Sequence, residues 1–223
     1  MSPAILRVRA VALLDLDPDQ LLSTTRAVRK RLDFTRPVPD DLIRECVALA
    51  LQAPSSSNVL TMRFVVVTDE EKRRAVGQVY RQCYAGYRDS PWYAGRQEKS
   101  DAAERAQQAR VAESADFLGD HLGEAPALVI ACNEGPSREA AAAGQGSVLP
   151  ATWSFMLAAR ARGLGTAWTQ LHLSREREVA ALLGIPYDTV AQAVLTPVAY
   201  TKGTDFKPAL RPAPDEVIHW NGW

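Results

Sequence analysis

The chain has 223 residues, 47% of them hydrophobic and 23% charged, which suits one soluble globular domain with room for a real core. Its formal net charge is zero. That leaves no basic excess to suggest a nucleic-acid partner and no acidic excess to suggest a disordered tail.

In chain order, the first apolar run, residues 10–14, is short and is followed by Asp15, Asp17 and Asp19, so it does not make a signal-peptide core. No segment has the apolar length of a membrane span. The three cysteines, Cys46, Cys83 and Cys132, are odd in number and never spaced as CxxC, which fits free thiols in an intracellular protein. A cytoplasmic location without a membrane partner is expected.

Residues 18–30 predict a helix that runs into the basic cluster Arg26-Ala27-Val28-Arg29-Lys30-Arg31. Pro37 and Pro39 force an extended stretch. Asp40 is expected to cap a helix carrying Leu42, Ile43, Cys46, Val47 and Ala50 at helical spacing, with Pro54 beyond its end. Residues 64–67 predict a buried strand, and Asp69 the start of another helix. Residues 80–122 concentrate Tyr80, Tyr84, Tyr87, Trp92 and Tyr93 beside arginines and include a polar helix near 98–117. They predict an excursion from the core. A strand at 127–132 follows, then a helix at 147–162 ended by Gly163 and Gly165. A short strand is expected at 166–173, a helix capped by Ser174 at 175–183, and a strand at 190–200. The tail, 201–223, is an arm containing prolines.

No GxGxxG, Walker A, HExxH or GxSxG occurs. That argues against a Rossmann dehydrogenase, a P-loop enzyme, a zincin and an α/β-hydrolase. Two other segments carry chemistry. Arg26 and Arg29, three apart, would share a face on a helix and offer guanidinium forks to a phosphate; equally, they are a basic surface patch at a helix end. Pro54-Ser55-Ser56-Ser57-Asn58 supplies donors and acceptors suited to a heterocycle and a sugar-alcohol chain; equally, it is a helix-to-strand turn. Residues 163–169, Gly-Leu-Gly-Thr-Ala-Trp-Thr, follow a long helix, and Lys207 and Arg211 lie in the tail.

In this order, the arginine cluster, the P-S-x-x-N loop with the Phe64-Val65-Val66-Val67 strand after it, the GLGT turn and the tail near His219-Trp220 resemble the nitroreductase family of flavoproteins over nearly the whole chain. The resemblance implies a single α+β domain: a mostly antiparallel central sheet flanked by helices, in an intertwined homodimer holding flavin mononucleotide (FMN) at its interface. Carried over by position, Arg26, Ala27 and Arg29 would lie at the phosphate, joined by Lys207 or Arg211. Pro54, Ser55, Ser56 and Asn58 would contact the ribityl chain and ring, in part for the flavin of the other subunit. Trp168 and Thr169 would lie at the ring edge, with a backbone N–H toward N5. Residues 80–122 would form a variable cover.

Such a protein would take electrons from NADH or NADPH in a ping-pong cycle and pass them to a nitroaromatic, a quinone or a similar small planar acceptor. No side-chain catalytic acid or base and no metal is needed. Alternatives are an FMN-dependent dehydrogenase or oxidase of a specific metabolite, and a non-catalytic flavin-binding protein. Two departures stand out: Ala27 replaces a serine of the R-S-x-R pattern, and Leu60 and Met62 stand where N-x-Q-P-W has Gln and Trp.

Overall fold

The computed structural model describes residues 13–223, so the run at 10–14 falls largely outside the described residues. An antiparallel sheet, ordered β1-β5-β3-β2 with β4 also paired to β5, forms the centre. Its strands are β1 (Leu32–Asp33), β2 (Met62–Val67), β3 (Ala127–Glu134), β4 (Leu164–Thr166) and β5 (Val190–Thr201). The helices are α1 (Pro18–Thr24), α2 (Asp40–Ala50), α3 (Glu70–Asp89), α4 (Ala102–His121), α5 (Arg138–Ala143), α6 (Gln145–Ala161) and α7 (Glu176–Leu183). The fold is therefore α+β, with an antiparallel sheet flanked by helices.

Side chains of a strand alternate between its faces, and both faces of β3 are covered. Leu128, Ile130 and Cys132 pack with Val76 and Val79 of α3, Leu118 of α4 and Val179 of α7. Ala127 and Val129 pack with Leu42, Ile43 and Cys46 of α2 and with Phe155 and Met156 of α6. Burial on both faces is why residues 127–132 form an unbroken apolar run rather than an alternating one.

β5 runs through the middle of this sheet yet contains Pro197, opposite Leu128. Leu195 exchanges both backbone hydrogen bonds with Thr169 (3.1 and 2.9 Å) on the β4 side. Residues two apart face the same way, so the nitrogen of Pro197 also faces that side. It meets the gap between the Thr166–Val198 pair and the Thr169–Leu195 bridge, where no N–H is required. In that gap the chain leaves the sheet at Ala167 and Trp168.

Local chemistry sets most helix starts. The Asp69 carboxylate accepts from the Lys72 amide (2.9 Å), and that of Asp101 from Ala103 and Glu104 (2.7 and 3.1 Å). The polar helix consequently spans Ala102–His121 rather than 98–117. Asp40 is not a cap: Pro39 holds that position without a side-chain bond, and Asp40 and Asp41 favour the first turn by charge. The two glycines after α6 have separate roles. Gly163 ends the helix at φ +74°, whereas a Cβ on Gly165 would lie 2.7 Å from Thr201 Cγ2 and 2.8 Å from Leu32 Cδ2.

Other expectations are corrected. The strand after α6 is Leu164–Thr166, not 166–173, because residues 164–166 pair at once with Val198–Tyr200; a 3-10 turn, Leu171–Arg175, follows. Ser174 does not cap α7, since its hydroxyl donates to Leu171 O (2.9 Å). The helix expected at 18–30 stops at Thr24, and Val28 instead donates to Thr166 O (2.7 Å). Residues 80–122 leave the core only in their middle: Tyr80, Cys83, Tyr84, Leu118 and Leu122 at the two ends belong to the core, while residues 95–111 are mostly exposed.

Candidate functional site

The basic cluster is bound to the β4 edge in an extended conformation, with Ala27 bridging Thr166. Arg26 and Arg29 therefore do not share a helical face. Lys30 pairs with Glu113. Arg31 holds the C-terminal arm, its Nε donating to Lys202 O (2.9 Å) and its Nη2 to Asp205 Oδ1 (2.6 Å). Neither Arg26 nor Arg29 has a carboxylate partner among the described residues.

Arg29 enters a cavity of about 320 Å³ with Tyr80, Tyr84, Tyr87, Trp168, Thr169 and Gln170 on its walls. The tyrosines come from one face of α3, since positions i, i+4 and i+7 of a helix align. Their rings contact in sequence, 6.3 Å from Tyr80 to Tyr84 and 5.5 Å from Tyr84 to Tyr87. Burial lowers the pKa of Arg29, while the nearby tyrosines act to raise it. Arginine stays charged under such a shift, so a guanidinium is held in a partly dry aromatic slot without a protein anion. Burial raises the pKa of Tyr80 and keeps its phenol neutral. The Tyr80 and Thr169 hydroxyls are 3.0 Å apart.

An acidic hub braces the outer wall. Asp116 accepts from Tyr84 Oη (2.9 Å), Tyr93 Oη (2.8 Å) and Arg88 Nη2 (2.9 Å). These donors hold its carboxyl below the usual range against an opposing burial effect. The sequence singles out Arg29, Trp168 and Thr169 and sets Tyr80, Tyr84, Tyr87 and Leu118 in the segment expected as a cover, but it does not mark Gln170. The tyrosine spacing was the available signal, because it matches the helix that Asp69 begins.

The remaining sequence-selected residues lie elsewhere. Residues 54–58 line no part of this cavity. Their loop reaches α6 through the Ser56 amide, which donates to Ser147 Oγ (3.1 Å). Ser57 and Asn58 are left-handed, φ 53° and 56°, and largely exposed. Asn tolerates this conformation, whereas Ser is less suited to it. Lys207 is exposed, and Arg211 lines a separate surface cavity together with Lys99, Glu104 and Glu216. Neither lines the Arg29 cavity. Met62 is a core residue, 3% exposed, and Leu60 is open. The Thr169 amide is committed to Leu195 O. A backbone donor at this edge would be that of Gln170, which has no partner among the described residues.

The slot suits a planar ligand that carries negative charge. Aromatic walls stack on a flat ring, an unpaired guanidinium answers an anion, and the volume is at the lower end for small-molecule sites. Among the described residues there is no cluster of metal-ligating side chains and no helix long and apolar enough to cross a membrane.

Residues 22–200 match the model of the nitroreductase family. Among solved structures, the chain is similar to oxidized iodotyrosine deiodinase bound to FMN and 3-iodo-L-tyrosine, at 21% identity over 91% of this chain and 98% of that one, TM-score 0.68. It is also similar to a mutant of NfnB, an FMN and NADPH-dependent nitroreductase from Sphigopyxis sp. strain HMH, at 22% identity over 93% and 100%, TM-score 0.67. A third, a BluB-like flavoprotein from Clostridium difficile 630, has 16% identity over 92% and 99%, TM-score 0.66.

Proposed function

This chain belongs to the nitroreductase family, and on that footing we propose that it is an FMN-dependent oxidoreductase, driven by NADH or NADPH, that reduces nitroaromatic, quinone or similar planar acceptors. The observation that carries this reading is the Arg29 guanidinium, unpaired among the described residues, in a slot walled by Tyr80, Tyr84, Tyr87 and Trp168. Bound there, FMN would supply the electron-transfer chemistry that no side chain of the slot offers. The chain's own contribution is placement and charge. Arg29 would neutralise negative charge on the ligand, and its direction into the aromatic slot favours the ring end over the phosphate end. Arg26, three residues before Arg29 and not part of the cavity wall, would remain for the phosphate, with Lys207 or Arg211 joining it in the assembled protein. The Thr169 hydroxyl and the Gln170 amide would face the ring's heteroatom edge.

The loop at 54–58 is apart from this slot in a single chain, which supports its serving the site of a second subunit in a homodimer. Ser55, Ser56 and Asn58 would then close the far side of the partner's ring. An apolar groove of about 550 Å³ between α2 and β2, lined by Ile43, Val47, Leu51, Phe64 and Val66, is an open face that such a dimer would cover.

The test is FMN titration of the stripped protein. Arg29→Ala is expected to weaken FMN by roughly 10- to 100-fold, the loss of a charge-assisted contact. Equal affinity of variant and parent would remove Arg29 from the site.

A further inference from the structure

Tyr80 and Thr169 form an isolated hydroxyl pair. Tyr80 is 3% exposed and Thr169 9% exposed, and both line the cavity that holds Arg29. Their mutual bond at 3.0 Å is the one hydrogen bond either hydroxyl makes among the described residues. Two hydroxyls carry two protons, and a mutual bond uses one. One O–H is left without a protein acceptor, at a wall where leaving it unpaired is costly. The 3.0 Å separation fits either direction, and the greater acidity of the phenol favours Tyr80 as donor and the aliphatic oxygen as acceptor. The spare proton is then that of Thr169. The Thr169 backbone is fixed at both ends by Leu195, so this hydroxyl has little freedom apart from rotation about its own bond. The bond from Tyr80 restricts that freedom by excluding the O–H from the direction of the phenol.

We infer that Tyr80 is a positioning residue: its phenol donates to Thr169 Oγ and so aims the Thr169 O–H at an acceptor atom on the heteroatom edge of the bound ring. The inference rests on the flavin reading above and goes beyond it by assigning a role to a core tyrosine of α3. A donor held at that edge binds the electron-rich reduced ring more strongly than the oxidised one, because a hydrogen bond to a charged acceptor is stronger. The pair therefore raises the reduction potential of the bound flavin. Tyr84 does not share this role, because its hydroxyl donates to Asp116, and Tyr87 makes no bond to Thr169, its oxygen accepting from the Ala94 amide.

The experiment uses the full chain loaded with FMN and measures the FMN dissociation constant and the two-electron midpoint potential. Tyr80→Phe keeps the buried ring and Thr169→Val keeps the side-chain shape. Each is expected to weaken FMN by roughly three- to tenfold, the effect of one neutral hydrogen bond, and to lower the potential. The double variant should be no worse than either single one, since both break the same unit. Thr169→Ser, which restores the hydroxyl, should keep parental values. A Tyr80→Phe protein with the parental potential overturns the inference, as do effects that add in the double variant. If the parent binds FMN and the variants match it, the positioning role fails while the flavin reading stands. If the parent takes up no FMN, both fail together.

Discussion

His172 is fully buried, and neither of its ring nitrogens has a hydrogen-bond partner among the described residues. Burial lowers its pKa to about 4. In the unfolded chain the imidazole titrates near 6.5. Above that value it is neutral in both states and affects stability little. As pH falls from about 6.5 toward 4, the unfolded chain takes up a proton that the fold refuses, so the native state loses up to about 3 kcal/mol. His172→Leu removes the titrating group. Urea unfolding at about pH 7 and about pH 4.5 should show a smaller acid loss for the variant than for the parent; equal losses would mean that His172 is not the source. At this scale the sequence was partly legible. It marked Arg29 by its charge, and Trp168 and Thr169 by the position the resemblance gave them. It did not mark the Tyr80 hydroxyl, because nothing along the chain brings it to Thr169; the packing of α3 on the 3-10 turn after β4 does.

At the scale of elements, the helix start at Asp69, whose carboxylate accepts from the Lys72 amide, was legible, whereas the one at Asp101 was not. The α1 end was not. Thr24 and Thr25 turn their hydroxyls back onto Gln20 O and Leu21 O (2.6 Å each), and the following residues pair with β4. That pairing is tertiary, and it converts an expected helical arginine face into an extended edge. The C-terminal arm shows the same dependence on distant partners. Phe206 is contacted by two guanidiniums, Arg31 at 4.1 Å and Arg160 at 4.8 Å from the ring centre. Arg160 is 4% exposed and also donates to Thr204 O (2.9 Å). Each cation–π contact contributes about 0.5–2 kcal/mol. Phe206→Ala should free the arm, so limited proteolysis should remove residues beyond Thr201 on the order of tenfold faster while the far-ultraviolet circular dichroism is unchanged. An unchanged cleavage rate would show that the hydrogen bonds of Arg31 and Arg160 hold the arm without the ring contacts.

For the molecule as a whole, the order of motifs carried the resemblance to the family, and the resemblance implied the α+β class; the apolar run at 127–132 by itself indicated only a buried strand. The arrangement of the site was less legible. Residues 26–29 and 54–58 are near each other in sequence yet belong to different regions of one chain, the first against β4 and the second against the start of α6. The proposed homodimer, with each slot closed by the other subunit's loop, would account for that separation. It also gives a use to the groove between α2 and β2 and to the exposed Ile218, Trp220 and Trp223 of the arm. The most direct measurement is the visible spectrum of the purified protein, followed by anaerobic addition of NADH and, separately, NADPH. The account predicts the absorption bands of bound flavin and their bleaching by at least one of the two reductants. A colourless protein that takes up no added FMN, or a bound flavin left unbleached by both, would contradict it.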